Sequence, residues 1–196
     1  MITIDFEASC LPRHGCSYPI EVGIADANGW SRAWLIQPHR SWDGWDWTEE
    51  AQNLHGISYD RLLKEGEPVG DVASALRQAL KGRRVIADSW IDAYWLETLA
   101  AAAGTFLPSK IGHISTVMDE LGSTAQEIIS AQTELDCQGF RRHRAGDDAR
   151  WLSALIGILT KASTTRECAP RMVIPHFHLA GEADAQLMSP EHWSAA

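Results

Sequence analysis

The chain has 196 residues, 45% hydrophobic and 22% charged, which is the mixture of an ordinary globular protein with room for one well-buried domain. Its 26 acidic residues outweigh 17 basic ones, for a formal charge of −9, and this argues against a protein that coats long nucleic acid by electrostatics alone. No run approaches the roughly 18 apolar residues of a membrane span, and no signal-like segment opens the chain, so a soluble, cytoplasmic protein is expected.

The first nine residues, Met1 to Ser9, read as a strand, because Ile2, Ile4 and Phe6 alternate with Thr3, Asp5 and Glu7. A strand sends residues i and i+2 to one side, so Asp5 and Glu7 project together. Two neighbouring carboxylates resist ionising at once, and a hard divalent cation between them relieves the repulsion. The plainer account makes them the wet face of the strand. Leu11 to Ser17, with Pro12 and Gly15, reads as a loop. Tyr18 to Ala25 is a second strand, Asp26 to Gly29 a turn with Asn-Gly at its tip, and Ser31 to Gln37 a third strand. Together they predict an antiparallel meander.

Pro38 to Asp46 is a loop carrying Trp42 and Trp45, with Trp47 just beyond. Thr48 caps a short helix, Asn53 to Ile57 turns, and Ser58 to Lys64 is helical again. Val72, Ala75, Leu76, Ala79 and Leu80 have helical spacing over Asp71 to Lys81, where Gly82 stops the run. Arg83 to Ala87 predicts a short buried strand and Ile91 to Ala103 a helix. Lys110 to Ser115 predicts a strand, and Thr116 to Leu121 and Thr124 to Asp136 predict helices. Gly139 to Gly146 is a basic loop ahead of an amphipathic helix from Asp147 to Lys161. That divides the chain into a domain over residues 1–161 and an extension over 162–196 with no assigned structure. Strands followed by helices mixed with short strands give an α/β layer architecture. There is no G-x-x-x-x-G-K-[ST] loop and no G-x-G-x-x-G turn, which lowers the standing of nucleotide-cradling folds.

The four cysteines form no C-x-x-C pair, and free thiols in a reducing compartment are expected. Zinc sites from Cys10, His14 and Cys16, or from Cys168, His176 and His178, match no standard ligand spacing. Two other stretches carry chemistry. In Val85-Ile-Ala-Asp-Ser-Trp-Ile-Asp92 a strand gives way to a helix with an acid in its first turn, at the strand end where sites of such sheets collect. The helix dipole alone would also favour an acid there. In His143-Arg-Ala-Gly-Asp-Asp148 a loop histidine able to accept a proton precedes another acid at a helix start.

Taken in order, Asp5-Phe-Glu-Ala-Ser-Cys10, Pro19-Ile-Glu-Val-Gly-Ile24, His55-Gly-Ile57, Asp92 and His143-x-Ala145-x-x-Asp148 resemble the DEDDh group of 3′–5′ exonucleases. These are DnaQ-like enzymes of the ribonuclease H-like fold, and the D-F-E-A-[ST]-C form of the first motif is similar to the branch that trims RNA 3′ ends. The resemblance covers about residues 1–160. It implies a mixed sheet, the antiparallel meander plus further parallel strands, flanked by helices. By the same resemblance Asp5, Glu7, Asp92 and Asp148 hold two Mg²⁺ or Mn²⁺ ions, and His143 is the general base. Where the second motif usually offers an Asn and an aromatic, this chain has Asp88 and Ile91, so Asp88 competes with Asp92, and Asp147 similarly competes with Asp148.

Four carboxylates and two dications sum to near neutrality, so a phosphodiester can enter, and ions roughly 3.5–4 Å apart can serve both ends of an in-line displacement. His143 must be neutral to take a proton from water, so activity should fall as imidazole protonates. Arg141, Arg142 and Arg144 could grip phosphates, or form a solvated loop balanced by Asp136 and Asp147. Phe6, Ala8, Ser9 and His55 are expected to line the place of the terminal nucleotide. Of the tryptophans, Trp42, Trp45 and Trp47 read better as core, and Trp90, two residues from Asp92, is the one expected to stack a base. The partner expected is the single-stranded 3′ end of RNA or DNA, a choice that rests on contacts to the 2′-hydroxyl. Relatives are often dimers, which puts a homodimer among the expected assemblies. The competing expectation is a nuclease-fold module that binds nucleic acid or a protein without turnover.

Overall fold

The computed structural model describes residues 1–106 and 110–168. The alternation at the N-terminus forms β1 (Ile2–Ala8), whose Ile2, Ile4, Phe6 and Ala8 enter one core while Thr3, Asp5 and Glu7 face the other side of the sheet. β2 (Pro19–Ala25) pairs antiparallel with β1, and β3 (Ser31–Leu35) pairs antiparallel with β2. At the tip between β2 and β3, the Asp26 carboxylate accepts from the Asn28 amide at 2.9 Å, and Gly29 adopts φ 85°, which its lack of a side chain permits. β4 (Val85–Ala87) lies parallel to β1 on its other side, and β5 (Ile111–His113) lies parallel to β4. The sheet order is β3-β2-β1-β4-β5, a meander extended by parallel strands.

Helices cover both faces. On the first face, α1 (Glu49–His55), α2 (Tyr59–Glu65), α3 (Val69–Leu80) and α4 (Ile91–Ala102) close over a core in which Leu62, Val72, Leu76, Leu80, Leu96 and Leu99 meet the apolar rows of β1 and β2. Thr48 and Ser58 cap α1 and α2 by accepting from Ala51 and Arg61 amides. On the second face, α5 (Ile114–Glu120), α6 (Ala125–Asp136) and α7 (Ala145–Cys168) surround Ile86, with Leu135, Trp151, Leu152 and Leu155 among the packed side chains.

Three elements differ from the pattern read in the sequence. The strand expected up to Ser115 ends at His113, because that imidazole turns back and accepts from the Ser115 amide at 3.2 Å, capping α5. α3 starts at Val69, straight after Pro68. α7 starts at Ala145 and runs past Lys161 to Cys168, and residues 169–196 lie outside the described part, with His176 and His178. Among the described residues Cys10, Cys16 and Cys137 are free thiols, and no helix is long and apolar enough to cross a membrane.

The tryptophans sort as their neighbours dictate. Trp42 is buried and stacks on Tyr18 with ring centroids 5.2 Å apart, and Trp45 and Trp47 pack against the first core. Trp90, by contrast, is 68% exposed.

Candidate active site

Parallel strands bring their carboxyl ends to one edge of the sheet, and the acids singled out in the sequence gather there. Asp5 and Glu7 come from the second face of β1, Asp92 from the first turn of α4 just after β4, and Asp148 from the first turn of α7. Two clusters of ligand atoms result. Asp5, Asp88 and Asp92 each place an atom within 4.8 Å of the others, and so do Glu7, His143 and Asp148.

Asp148 reaches Glu7 because α7 lies against the sheet with almost no side chain between them. A Cβ on Gly23 of β2 would sit 2.1 Å from the Ala145 carbonyl oxygen, and one on Gly146 would sit 2.9 Å from the Ala33 Cβ. Ala145 and Ala149 are fully buried in the contact, and the Thr3 hydroxyl donates to the Ala149 carbonyl at 2.7 Å. Glu21, opposite Glu7 in the β1–β2 register, fastens the start of the helix. Its carboxylate accepts from Arg144 Nε at 3.0 Å, from Arg144 Nη2 at 2.5 Å and from the Ala145 amide at 3.0 Å. Glu21 is buried, and Arg144 has 18% of its side chain exposed. The guanidinium expected on a phosphate therefore has its fork committed to Glu21. Glu21 and Gly23 support the site, although in the sequence they stand only within the Pro19–Ile24 motif, where neither is given a role. The signal for Glu21 was a lone charge inside the apolar run Ile20-Glu-Val22.

Crowding of acids in this edge raises their proton affinity. Burial pushes Asp5 well up, reinforced by the charges of Asp92 and Glu7. Burial, then Asp148 and Glu21, pushes Glu7 up to about 8, with Arg144 pulling the other way. Asp92 is pushed up to about 8 by burial and then by Asp88, against hydrogen bonds from the Phe6 and Ser89 backbone. Burial also raises Asp148, with the Arg142 charge opposing it.

The donor set fits divalent cations. Asp92 Oδ2 and Asp148 Oδ1 are buried without any hydrogen-bond partner. Arg142 Nε approaches Asp148 Oδ1 at 3.0 Å, but without hydrogen-bond alignment. A buried carboxylate oxygen left bare is costly unless a cation meets it, and hard oxygen donors suit Mg²⁺ or Mn²⁺. Asp147 turns away from the cluster, accepting from the Arg141 amide at 3.1 Å and pairing with Arg150. Of the two neighbouring acids, Asp148 is the one in the cluster. Of Asp88 and Asp92, both are.

His143 is exposed and has φ 60°, the one non-glycine positive φ among the described residues. The conformation turns its ring toward Glu7 and Asp148 rather than continuing α7 backward. A cavity of about 270 Å³ opens beside Glu7, lined by Phe6, Ala8, Leu54, His55 and Trp95 among others. Phe6 and Ala8 thus line a space next to the acids. His55 is buried in its wall, its Nδ1 accepting from the Ile57 amide at 3.0 Å, which puts the ring proton on Nε2. That Nε2 has no partner in good geometry, and burial lowers the imidazole to about 4, so the ring is neutral. Ser9 is fully buried and exchanges hydrogen bonds with Tyr18, its hydroxyl accepting from the Tyr18 amide at 3.1 Å, so it holds the strand end rather than facing the cavity. Beside the Asp88–Asp92 turn, Trp90 stacks on His113 with centroids 4.8 Å apart and planes 13° from parallel.

No family model matches the sequence, and a search among curated proteins returns no match. The backbone, however, is similar to that of a full-length 3′-exonuclease, with a TM-score of 0.60 at 16% identity over 83% of this chain and 81% of that one. It is also similar to Escherichia coli exonuclease I in complex with a dA16 oligonucleotide, with a TM-score of 0.63 at 13% identity over 84% of this chain and 41% of that one. Exonuclease I from Methylocaldum szegediense gives 0.58 at 15% identity, again over 41% of its own length. The chain therefore spans about two fifths of the exonuclease I chains. It shares their ribonuclease H-like fold, a mixed five-stranded sheet between helices.

Proposed function

We propose that the chain is a metal-dependent 3′–5′ exonuclease of the DEDDh, DnaQ-like group, acting on single-stranded RNA or DNA and releasing nucleoside 5′-monophosphates. The observation that carries the reading is the gathering of Asp5, Glu7, Asp92 and Asp148 from three separate elements, with a buried Asp92 oxygen that no protein donor meets. Support comes from the fold shared with solved exonucleases, one of which holds an oligonucleotide. The free thiols of Cys10, Cys16 and Cys137 fit a reducing, cytoplasmic setting.

Two divalent cations held by these acids would offset four negative charges and polarise the scissile phosphodiester. The residues of the chain do the rest. Phe6 and Ala8 floor the cavity in which the last nucleotide rests, and the buried, neutral His55 ring shapes its wall. Trp90, with His113 behind it, offers an exposed face for an upstream base. Arg142 pairs with Asp148 and lies over the Trp151 ring, so Arg141, exposed and in no ion pair among the described residues, is the arginine of the loop left to meet phosphate. His143 takes a proton from the attacking water; the water oxygen bonds to phosphorus, the P–O3′ bond breaks, and the departing 3′ oxygen takes a proton from solvent to leave a 3′-hydroxyl on the shortened strand.

The test is a degradation ladder on matched RNA and DNA oligonucleotides, with free and blocked 3′ ends, in Mg²⁺, in Mn²⁺ and in EDTA. Stepwise shortening from free 3′ ends, stopped by the block and by EDTA, is the expected result. Cutting that ignores the block would mean attack within the strand. Binding without any cutting would favour the inactive module.

A further inference from the structure

We infer that Asp88 is itself a metal ligand, so that Asp5, Asp88 and Asp92 hold a divalent cation with three carboxylates before any nucleic acid arrives. The inference deepens the metal-dependent reading above and rests on it. Asp92 is 1% exposed, its Oδ2 is without a partner, and its ligand atom lies within 4.8 Å of those of Asp5 and Asp88. The carboxylate that carries this bare oxygen faces two more acids. Among the described residues no arginine, lysine or histidine forms an ion pair with any of the three. A compensating positive charge must then come from outside the chain, and three hard oxygens select a cation such as Mg²⁺ or Mn²⁺.

Asp88 is exposed at the cleft edge, but its backbone is not loose. Its carbonyl accepts from His113 Nε2 at 2.8 Å, while the other nitrogen of that ring is engaged by Ser115 and the ring face by Trp90. The turn is closed on its other side by the Ile91 amide donating to Ser89 Oγ at 3.3 Å. β5 therefore fixes the turn from which Asp88 reaches the cluster, in the manner of an outer group that orients a ligand. The second cluster is poorer in charge, with Glu7 and Asp148 beside an imidazole, and Arg142 already stands next to Asp148. The two halves of the site are unequal, and the Asp88 side is the one equipped to keep its ion without help from a phosphate. At this position the resembled motif usually offers a neutral Asn; here a full charge replaces it.

Mn²⁺ binding to the full chain without nucleic acid, followed by calorimetry and by the electron paramagnetic signal of free Mn²⁺, tests this. The wild type should bind Mn²⁺, and Asp92→Asn should lose one class of site. Asp88→Asn should weaken that same class by at least about tenfold, the scale set by loss of groups that merely orient a ligand. Asp88→Ala, which leaves no oxygen at all, should weaken it at least as much, and Asp60→Asn, on the exposed side of α2, should change nothing. Circular dichroism confirms that each variant is folded. If Asp92→Asn loses the site while both Asp88 variants bind as the wild type does, the inference is overturned and the metal-dependent reading stands. If the wild type binds no Mn²⁺, both fall together.

Discussion

His143 stands at φ 60°, where a side chain costs on the order of 1 kcal/mol that glycine does not incur. Replacing it by Gly should therefore separate stability from activity. His143→Gly is expected to lose at least about a hundredfold in turnover, the lower range for a general base, while urea unfolding shows equal or greater stability. A Gly variant that cut at the wild-type rate would remove His143 from the base role. Glu21 answers to a different term, because its carboxylate is buried against Arg144 and the Ala145 amide. Glu21→Gln leaves that guanidinium half-paired and should cost about 3 kcal/mol, the low end for a broken buried pair, since Arg144 keeps an edge in solvent. Urea titration of the variant checks this, and a loss under about 1 kcal/mol would mean that water replaces the pair. At this scale the sequence was uneven evidence. Asp5 and Glu7 were legible from strand alternation and Asp148 from its spacing to His143. The pairing of Arg144 was not legible because its partner lies 123 residues away, and no local pattern reports that distance. The engagement of Ser9 was equally hidden, because its hydroxyl, like its amide, belongs to the strand pairing with Tyr18.

The contact between α7 and the β2–β3 edge sets where Asp148 points. Gly23 and Gly146 remove the side chains that would hold the helix off the sheet, and a Cβ at Gly23 meets backbone atoms that have no rotamer to change. Gly23→Ala should therefore tilt the first turn of α7 outward. A stability loss of about 1–3 kcal/mol is expected together with weakened metal binding, measured by denaturation and by Mn²⁺ calorimetry on one preparation. Wild-type stability and Mn²⁺ affinity in that variant would show that the helix start is not fixed there. The strands of the meander were readable because alternation and the Asn28-Gly29 turn are local signals. The sequence also marks β4 and β5 as strands, over Arg83 to Ala87 and Lys110 to Ser115, but at three residues each they show no period that would bound them, and His113 ends β5 by capping α5. The sequence favours Asp92 over Asp88 for its position relative to the following helix, whereas the strand-to-helix turn brings both toward Asp5.

Across the whole molecule, the site works against the fold until cations arrive. Glu7 and Asp92 rise from 4.5 and 3.8 to about 8 in the folded chain, and Asp5 rises with them. A folded-state value above the unfolded one means that the folded chain holds protons the unfolded chain has released. That contribution is present in full below the ordinary carboxylate range and is lost as pH climbs through about 8. The metal-free melting temperature should therefore fall between about pH 5 and pH 8.5, and Mg²⁺ should restore more of it at the upper end, since cations bind the deprotonated acids. A metal-free melting temperature that stayed flat over that range would mean that the acids are not crowded in solution. The fold class was recoverable from the order of strands and helices, whereas the depth of this charge burden was not, because it depends on α7 covering the acid-bearing face of β1. The most direct measurement is anomalous diffraction at the manganese edge from crystals soaked in Mn²⁺. The account predicts two anomalous peaks, one among Asp5, Asp88 and Asp92 and one beside Glu7 and Asp148. Soaked crystals with these carboxylates ordered and no peak between them would contradict it.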